Sequence, residues 1–235
     1  MSDRRRPDAR FPLLVGLLVA LGAALLLWGA LVYAPRERTM GDVQRIFYFH
    51  VPAAVNALLA FLGALVAATG YLGTRDERWD RVLRTTVETG VLWATVVLVT
   101  GPIWARAAWG AWWTWEPRLT TSLIAWLIYV GAMLVRSVSH DPEQGARLAA
   151  ILAIVGFVDL PIVYKSVDWW RGNHPVVFGR SGGGLAPGML HAFFLGLAGV
   201  TLVHAGLLLL RWRLAVAEDA VAAAERAADL TEGLR

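Results

Sequence analysis

The sequence predicts an all-α integral membrane protein with six transmembrane helices, and two observations carry this prediction. First, 57% of the 235 residues are hydrophobic. Second, the chain contains six long stretches with at most one charged residue each. A bilayer core about 30 Å thick needs about 20 apolar residues per helix, with a lower limit of about 17. All six stretches reach that limit, so each is expected to cross the membrane.

The first charge-free stretch, residues 11–34, follows Arg4, Arg5 and Arg6. A secretory signal has an apolar core of about 7–15 residues and is then removed, so this longer core is predicted to be an uncleaved anchor. The other five stretches are residues 51–73, 89–105, 119–135, 148–164 and 182–210. Asp159 is the one acid inside a span. We expect it either to form a structural hydrogen bond to a neighbouring helix or to take part in a functional site.

Lys and Arg accumulate on the cytoplasmic side of membrane proteins, and this bias orients the chain. With the N-terminus inside, 14 of the 22 basic residues fall on the inner side and 8 on the outer side. Both termini are therefore predicted to be cytoplasmic. The predicted parts are a cytoplasmic N-terminus at 1–10, a membrane domain at 11–210 with outer loops near 35–50, 104–118 and 165–186, and a cytoplasmic helical tail at 211–235. The Ala-rich tail is either a docking surface or a frayed extension.

The remaining composition excludes several chemistries. The chain has no cysteine, which removes disulfides, thiolate metal sites and thiol redox reactions. The net charge of +4 comes almost wholly from arginine, since Lys165 is the only lysine. Membrane topology accounts for this excess, so we expect the lipid bilayer as a partner and no nucleic acid.

The most informative segment is a tryptophan-rich outer loop that holds four of the twelve tryptophans within seven residues. They are Trp109, Trp112, Trp113 and Trp115, and Trp169 and Trp170 lie beside the next outer loop. An aromatic belt at the membrane surface is one explanation, although a belt needs fewer rings on one face. A binding platform is the other, because indoles offer rigid apolar faces to flat conjugated ligands.

Charged residues flank the tryptophan loop. Arg118 and Arg106 lie at its edges and could meet ligand carboxylates as guanidinium forks, although either could be plain interfacial charge. Glu116 precedes Pro117, which holds its backbone extended. It is expected either to orient Arg118 or an indole N–H, or to be a solvated loop acid.

Two histidines share the predicted side of the tryptophan loop. His50 lies at the outer mouth of the second span, where Pro52 fits the first turn of a helix, and His174 lies in the third outer loop. Imidazole is a normal axial ligand of haem iron, so two of them could hold iron from opposite faces. Each could instead be a polar residue at the interface. His191, near the outer end of the last span, is a second-rank ligand candidate.

The segments 45–54, 109–120 and 160–170, with His174 at the expected spacing, resemble the cytochrome c maturation haem-handling protein C family (CcmC). The resemblance covers residues 43–210. It implies that haem b is held non-covalently at the extracytoplasmic face of the bacterial cytoplasmic (inner) membrane. His50 and His174 would be the axial ligands, and the tryptophan loop, Glu116 and Arg118 would form the surrounding site. The family's usual acid in the tryptophan signature is Asp, and here it is Glu116.

The same resemblance implies three partners: a membrane-anchored haem chaperone, an ATP-binding-cassette pair and a small single-span subunit. The expected role is therefore haem binding and presentation. A permease that moves haem across the membrane is the alternative, but the candidate residues cluster at one face rather than in paired broken helices. A lyase is a third option, and the sequence offers no general base with an identifiable partner.

Overall fold

The structure is a computed structural model that describes residues 10–175 and 184–232. Across these residues it contains six long α-helices and no β-strand. Their bounds are α1 Arg10–Trp28, α2 Phe47–Thr74, α3 Glu77–Trp109, α4 Pro117–Val138, α5 Pro142–Trp170 and α6 Pro187–Glu232. Each is long and apolar enough to cross a membrane. The prediction of an all-α, multi-pass membrane protein with six spanning helices is confirmed.

Several helices extend well beyond the charge-free stretches. The helix α3 continues to Trp109, α5 continues to Trp170, and α6 runs for 46 residues. A helix need not end where the hydrocarbon ends, because Arg, Lys and Glu have good helix propensity in water. The connections are correspondingly shorter than the predicted loops. Parts of the predicted N-terminus, third outer loop and tail lie outside the described residues, at 1–9, 176–183 and 233–235.

The start of α2 differs from the sequence expectation. A five-residue 3₁₀ turn, Asp42–Ile46, leads into α2 at Phe47, so Pro52 lies inside the helix rather than in its first turn. Pro52 cannot donate to the carbonyl oxygen of Tyr48, four residues earlier. The helix α6 comes close at this point, since a Cβ on Gly196 would lie 2.7 Å from that oxygen. His50 still occupies the first turn of α2.

Small residues let the helices approach closely, as is usual where lipid supplies no hydrophobic drive between helices. Gly22 of α1 meets Gly199 of α6, where a Cβ on either residue would come within 2.6 Å of the other's carbonyl oxygen. Gly90 of α3 accommodates the Phe61 ring of α2, and that ring stacks on Tyr129 of α4 at 3.7 Å between centroids. The central helix α2 thus packs against several neighbours, whereas α1 lies at the edge against α6.

The bundle has two chemically distinct ends. The end that holds the α1–α2, α3–α4 and α5–α6 connections carries the tryptophan loop, and we name it the tryptophan end. The opposite end is held together by ion pairs between α3, α4 and the extension of α6. These pairs join Arg211 to Glu88, Arg81 and Arg84 to Asp219, and Arg136 to Asp80. They fix the first turns of the α6 extension against α3.

Candidate functional site

His50 points from the first turn of α2 toward α3. Its Nδ1 atom lies 2.9 Å from the hydroxyl oxygen of Thr100. The ring edge lies beside Gly101, where an added Cβ would be 3.4 Å from Cε1 of the imidazole. His50 is thus partly buried between two helices, close to where α3 leads into the tryptophan loop.

Arg118, in the first turn of α4, joins three parts of the tryptophan end. Its Nε and Nη2 atoms donate to the carbonyl oxygens of Val163 and Tyr164 in α5, at 3.3 and 2.8 Å. Its Nη1 atom lies 3.3 Å from Nδ1 of His174. The guanidinium therefore ties α4 to α5 and to the segment after α5, and its positive charge has a defined position in the site.

His174 lies in the segment that follows α5. Its pKa is lowered from the ordinary 6.5 to about 4, mainly by burial and then by the charge of Arg118; the Pro175 carbonyl acts in the opposite direction, and His50 lowers the pKa slightly. Charged neighbours have this effect only at short range. His50, Arg118 and His174 therefore lie within electrostatic reach of one another, although 124 residues separate the two histidines in the chain.

Glu116 is buried between the start of α4 and the segment after α5. Among the described residues, neither carboxylate oxygen has a hydrogen-bond partner of good geometry. The backbone N–H groups of Leu119, Asn173 and His174 nevertheless lie close enough to affect it. Burial raises the pKa of the Glu116 carboxyl, against the opposing influence of these N–H groups and of Arg118. The acid is not solvated, so it belongs to the contact between the two loops.

The indoles at the tryptophan end form edge-to-face pairs rather than one continuous plane. The three pairs are Trp104 with Trp109, Trp113 with Trp115, and Trp169 with Trp170, at centroid distances of 5.2, 5.6 and 5.8 Å. Flat apolar area is nevertheless available, because Trp112 is 59% exposed and Trp115 is 70% exposed. Each exposed ring offers a separate face to a flat ligand.

The tryptophan loop has an unusual backbone at its end. Trp115 has a φ of +53°, in the left-handed region that costs a bulky residue energy. Glu116 is extended, and Pro117 then opens α4. The left-handed residue turns the chain so that Trp115 faces outward while Glu116 faces inward. The loop therefore presents indoles on one side and a buried acid on the other.

Most of the other candidates have partners away from this cluster. His191 shares a hydrogen bond of 3.2 Å with the hydroxyl of Tyr33, which ends the π-helical turn Gly29–Tyr33 after α1. Arg106 donates to the carbonyl oxygen of Gly110 at the end of its own helix. His204 is packed inside the bundle, with Nδ1 2.9 Å from the Asn56 side-chain oxygen. Asp159 buries one carboxylate oxygen that lacks a hydrogen-bond partner within residues 10–175 and 184–232.

Two residues of the site carry no signal in the sequence. Thr100 meets His50 across two helices, and a threonine in an apolar span usually bonds its own backbone. Gly172 lies against Glu116, since an added Cβ would be 2.6 Å from Oε2. A sequence motif could identify neither, because each role depends on a residue from another part of the chain.

These features define a class: a multi-pass membrane protein whose tryptophan end carries two imidazoles, a guanidinium and exposed indoles. Comparison with known proteins is more specific. The model of the heme exporter protein C family matches residues 7–227. The chain belongs to this family.

Curated relatives agree with the family match. A heme exporter protein C from Haemophilus influenzae is 36% identical over 157 residues, which are 67% of this chain and 63% of the relative. One from Paracoccus denitrificans is 31% identical over 93% of this chain and 91% of the relative. A putative cytochrome c biosynthesis ccmC-like mitochondrial protein from Marchantia polymorpha is 32% identical over 76% and 74%. The alignment spans about three fifths of the length of the first curated relatives.

Proposed function

We propose that this protein binds haem at the tryptophan end, on the extracytoplasmic face of the bacterial cytoplasmic membrane. It then presents the haem to a membrane-anchored chaperone during the maturation of c-type cytochromes. His50 and His174 are the axial ligands in this proposal, the exposed indoles contact the macrocycle, and Arg118 supplies positive charge beside it. The protein itself makes and breaks no covalent bond.

The convergence of His50, Arg118 and His174 carries this proposal. The sequence places these residues in three separate segments, and the fold brings them within electrostatic reach at the end that also bears the indoles. Haem iron accepts imidazole nitrogens at its two axial positions. A ring whose pKa is about 4 is neutral at physiological pH, and only the neutral ring can bind iron.

The surrounding residues suit a flat, apolar ligand with anionic arms. Trp112 and Trp115 expose indole faces on which a conjugated ring can lie. The guanidinium of Arg118 is held by backbone carbonyls, so it is a fixed cation that favours a propionate nearby. The indole N–H of Trp113 is buried without a partner in the described part of the chain, which leaves a donor for a polar group of the ligand.

The side of the membrane follows from charge. With the chain termini inside, 14 of the 22 basic residues fall in predicted inner segments and 8 in predicted outer segments. Basic residues favour the cytoplasm, which places the tryptophan end outside. The relatives' printed name, heme exporter protein C, is compatible both with presentation at this face and with movement of haem across the membrane.

A spectrum of the purified protein tests haem ligation. We expect absorption bands typical of haem held by two histidines. Replacing His50 or His174 with Ala should change those bands and lower haem occupancy. His140→Ala is the matched control, because His140 lies in the α4–α5 connection at the opposite end. Unchanged spectra in both His50→Ala and His174→Ala would rule out this ligand pair.

Membrane vesicles separate presentation from export. Haem is added outside right-side-out or inside-out vesicles that contain the protein and the chaperone. Presentation predicts that right-side-out vesicles load the chaperone from haem added at the outer face. Loading only in inside-out vesicles, where the added haem meets the cytoplasmic face, would favour the permease instead.

A further inference from the structure

The hydrogen bonds around His50 determine which ring nitrogen carries the proton. The Nδ1 atom lies 2.9 Å from Oγ1 of Thr100. The same hydroxyl lies 2.7 Å from the carbonyl oxygen of Val96, one turn earlier in α3. The chain Val96–Thr100–His50 is therefore continuous, and each of its links has normal hydrogen-bond length.

A hydroxyl has one proton to donate, and a carbonyl oxygen can only accept. The Thr100 proton is therefore directed to Val96, and the Thr100 oxygen is left as an acceptor. It can bind His50 only if Nδ1 carries the imidazole proton. The neutral ring then has its free electron pair on Nε2, the atom farther from α3.

We propose that Thr100 is a positioning residue for haem ligation. It holds His50 in the Nδ1–H tautomer and fixes the plane of the ring, so that Nε2 is ready to bind iron. This inference rests on the proposed function, because it takes His50 as an axial ligand. Metal-binding histidines commonly donate their second ring N–H to an oxygen, which fixes the tautomer and raises the basicity of the ligating nitrogen.

His174 has no comparable constraint. Its Nδ1 lies 3.3 Å from Arg118 Nη1, which can only donate, and 3.2 Å from the Pro175 carbonyl oxygen, which can only accept. Each tautomer of His174 satisfies one of these neighbours and loses the other. The tautomer of His50 is thus fixed before haem binds, whereas the His174 ring can change tautomer.

Thr86, in the same helix as Thr100, has a hydroxyl that bonds only its own helix in the described structure. The Thr86 hydroxyl donates to the carbonyl oxygens of Val82 and Leu83 in its own helix, and it lies toward the opposite end of the bundle. Thr86→Val is therefore a matched control, since it removes the same group from the same helix. Thr100→Ser keeps the hydroxyl and tests whether that group alone is needed.

The experiment uses the full-length protein in detergent, in haem-free and haem-loaded forms. In the haem-free form, ¹⁵N-histidine NMR reports the tautomer of His50, whose signals are assigned by their loss in His50→Ala. We expect the Nδ1–H tautomer in the wild type, the Thr100→Ser variant and the Thr86→Val variant. The Thr100→Val variant should show a mixture of tautomers.

In the loaded form, Thr100→Val should weaken haem binding about 10-fold, the lower range for loss of such a supporting bond. Haem affinity is therefore the deciding measurement in the loaded form. Wild-type tautomer and affinity in Thr100→Val would overturn the inference, as would weaker binding with an unchanged tautomer. Failure of the proposed function is distinct, because His50→Ala would then bind haem as well as the wild type.

Discussion

Gly172 occupies a position where a larger residue would displace the His174 segment. A Cβ added at this glycine would lie 2.6 Å from Oε2 of Glu116 and 3.6 Å from Cα of Val167. Glu116 is buried, so either its carboxylate must shift within packed surroundings or the His174 segment must move. We therefore predict that Gly172→Ala moves the segment that carries His174 and weakens haem binding.

The size of the effect follows from the overlap. Ordinary contact begins at 3.4 Å, so a Cβ at 2.6 Å requires a shift of about 0.8 Å. Overpacking of this kind costs about 1–3 kcal/mol. The haem-free protein can relieve the strain by moving the segment, whereas ligation by His174 requires the original position. The strain then opposes binding, and about 1–3 kcal/mol corresponds to about 5- to 150-fold in affinity.

The assay is a haem titration of the purified protein, followed by absorption. Gly131→Ala in α4 is the control, because an added Cβ there meets nothing within 4 Å. Glu116→Asp in the Gly172→Ala background shortens the acid by one methylene and should recover part of the lost affinity. Wild-type affinity in Gly172→Ala, or no recovery in the double variant, would refute the proposed contact between Glu116 and Gly172.

Three further predictions concern stability, pH and the indole surface. Asp80→Ala removes the carboxylate that binds both terminal nitrogens of Arg136. Because the pair is partly buried, the thermal midpoint of unfolding should fall by the equivalent of about 1–3 kcal/mol. An unchanged midpoint would contradict this. Because the pKa of folded His174 is about 4, below the ordinary 6.5, its ring stays neutral as the pH falls through 6.5. Haem should therefore be retained at pH 6.5 and lost toward pH 4. A loss of haem centred on pH 6.5 in an absorption titration would contradict this. Trp112→Ala should weaken haem binding about 2- to 10-fold by loss of ring stacking. The thermal midpoint of the haem-free protein should not change, since the side chain is 59% exposed. A haem titration that shows full affinity would exclude this ring from the site.

The number of helices was predictable because the bilayer imposes a minimum apolar length on every span. The helix ends were less so. Charge marks where a chain leaves the hydrocarbon, but a helix continues into water until a residue such as Gly110, with φ +76°, turns the chain. The start of α2 was predicted too late, because Pro52 was expected in the first turn. The helix begins earlier, at Phe47.

The residue types of the candidate site were also predictable, because clustered indoles and nearby histidines stand out in an apolar chain. Their partners were not. Arg118 was expected either to meet a ligand carboxylate or to be interfacial charge, and its bonds to the main-chain carbonyls of Val163 and Tyr164 were not foreseen. Main-chain carbonyls are present at every residue, so no sequence pattern marks the two that a guanidinium will bind.

The sequence by itself determined the six-helix membrane architecture and the identity of the candidate ligands, His50 and His174. Both follow from local properties: the apolar length of each segment and the chemistry of single side chains. Only the tertiary structure decided that Thr100 bonds His50, that Arg118 meets His174 and that Glu116 fills the space beside Gly172. These contacts join residues from different helices, and their distances depend on how all six helices pack rather than on any one segment.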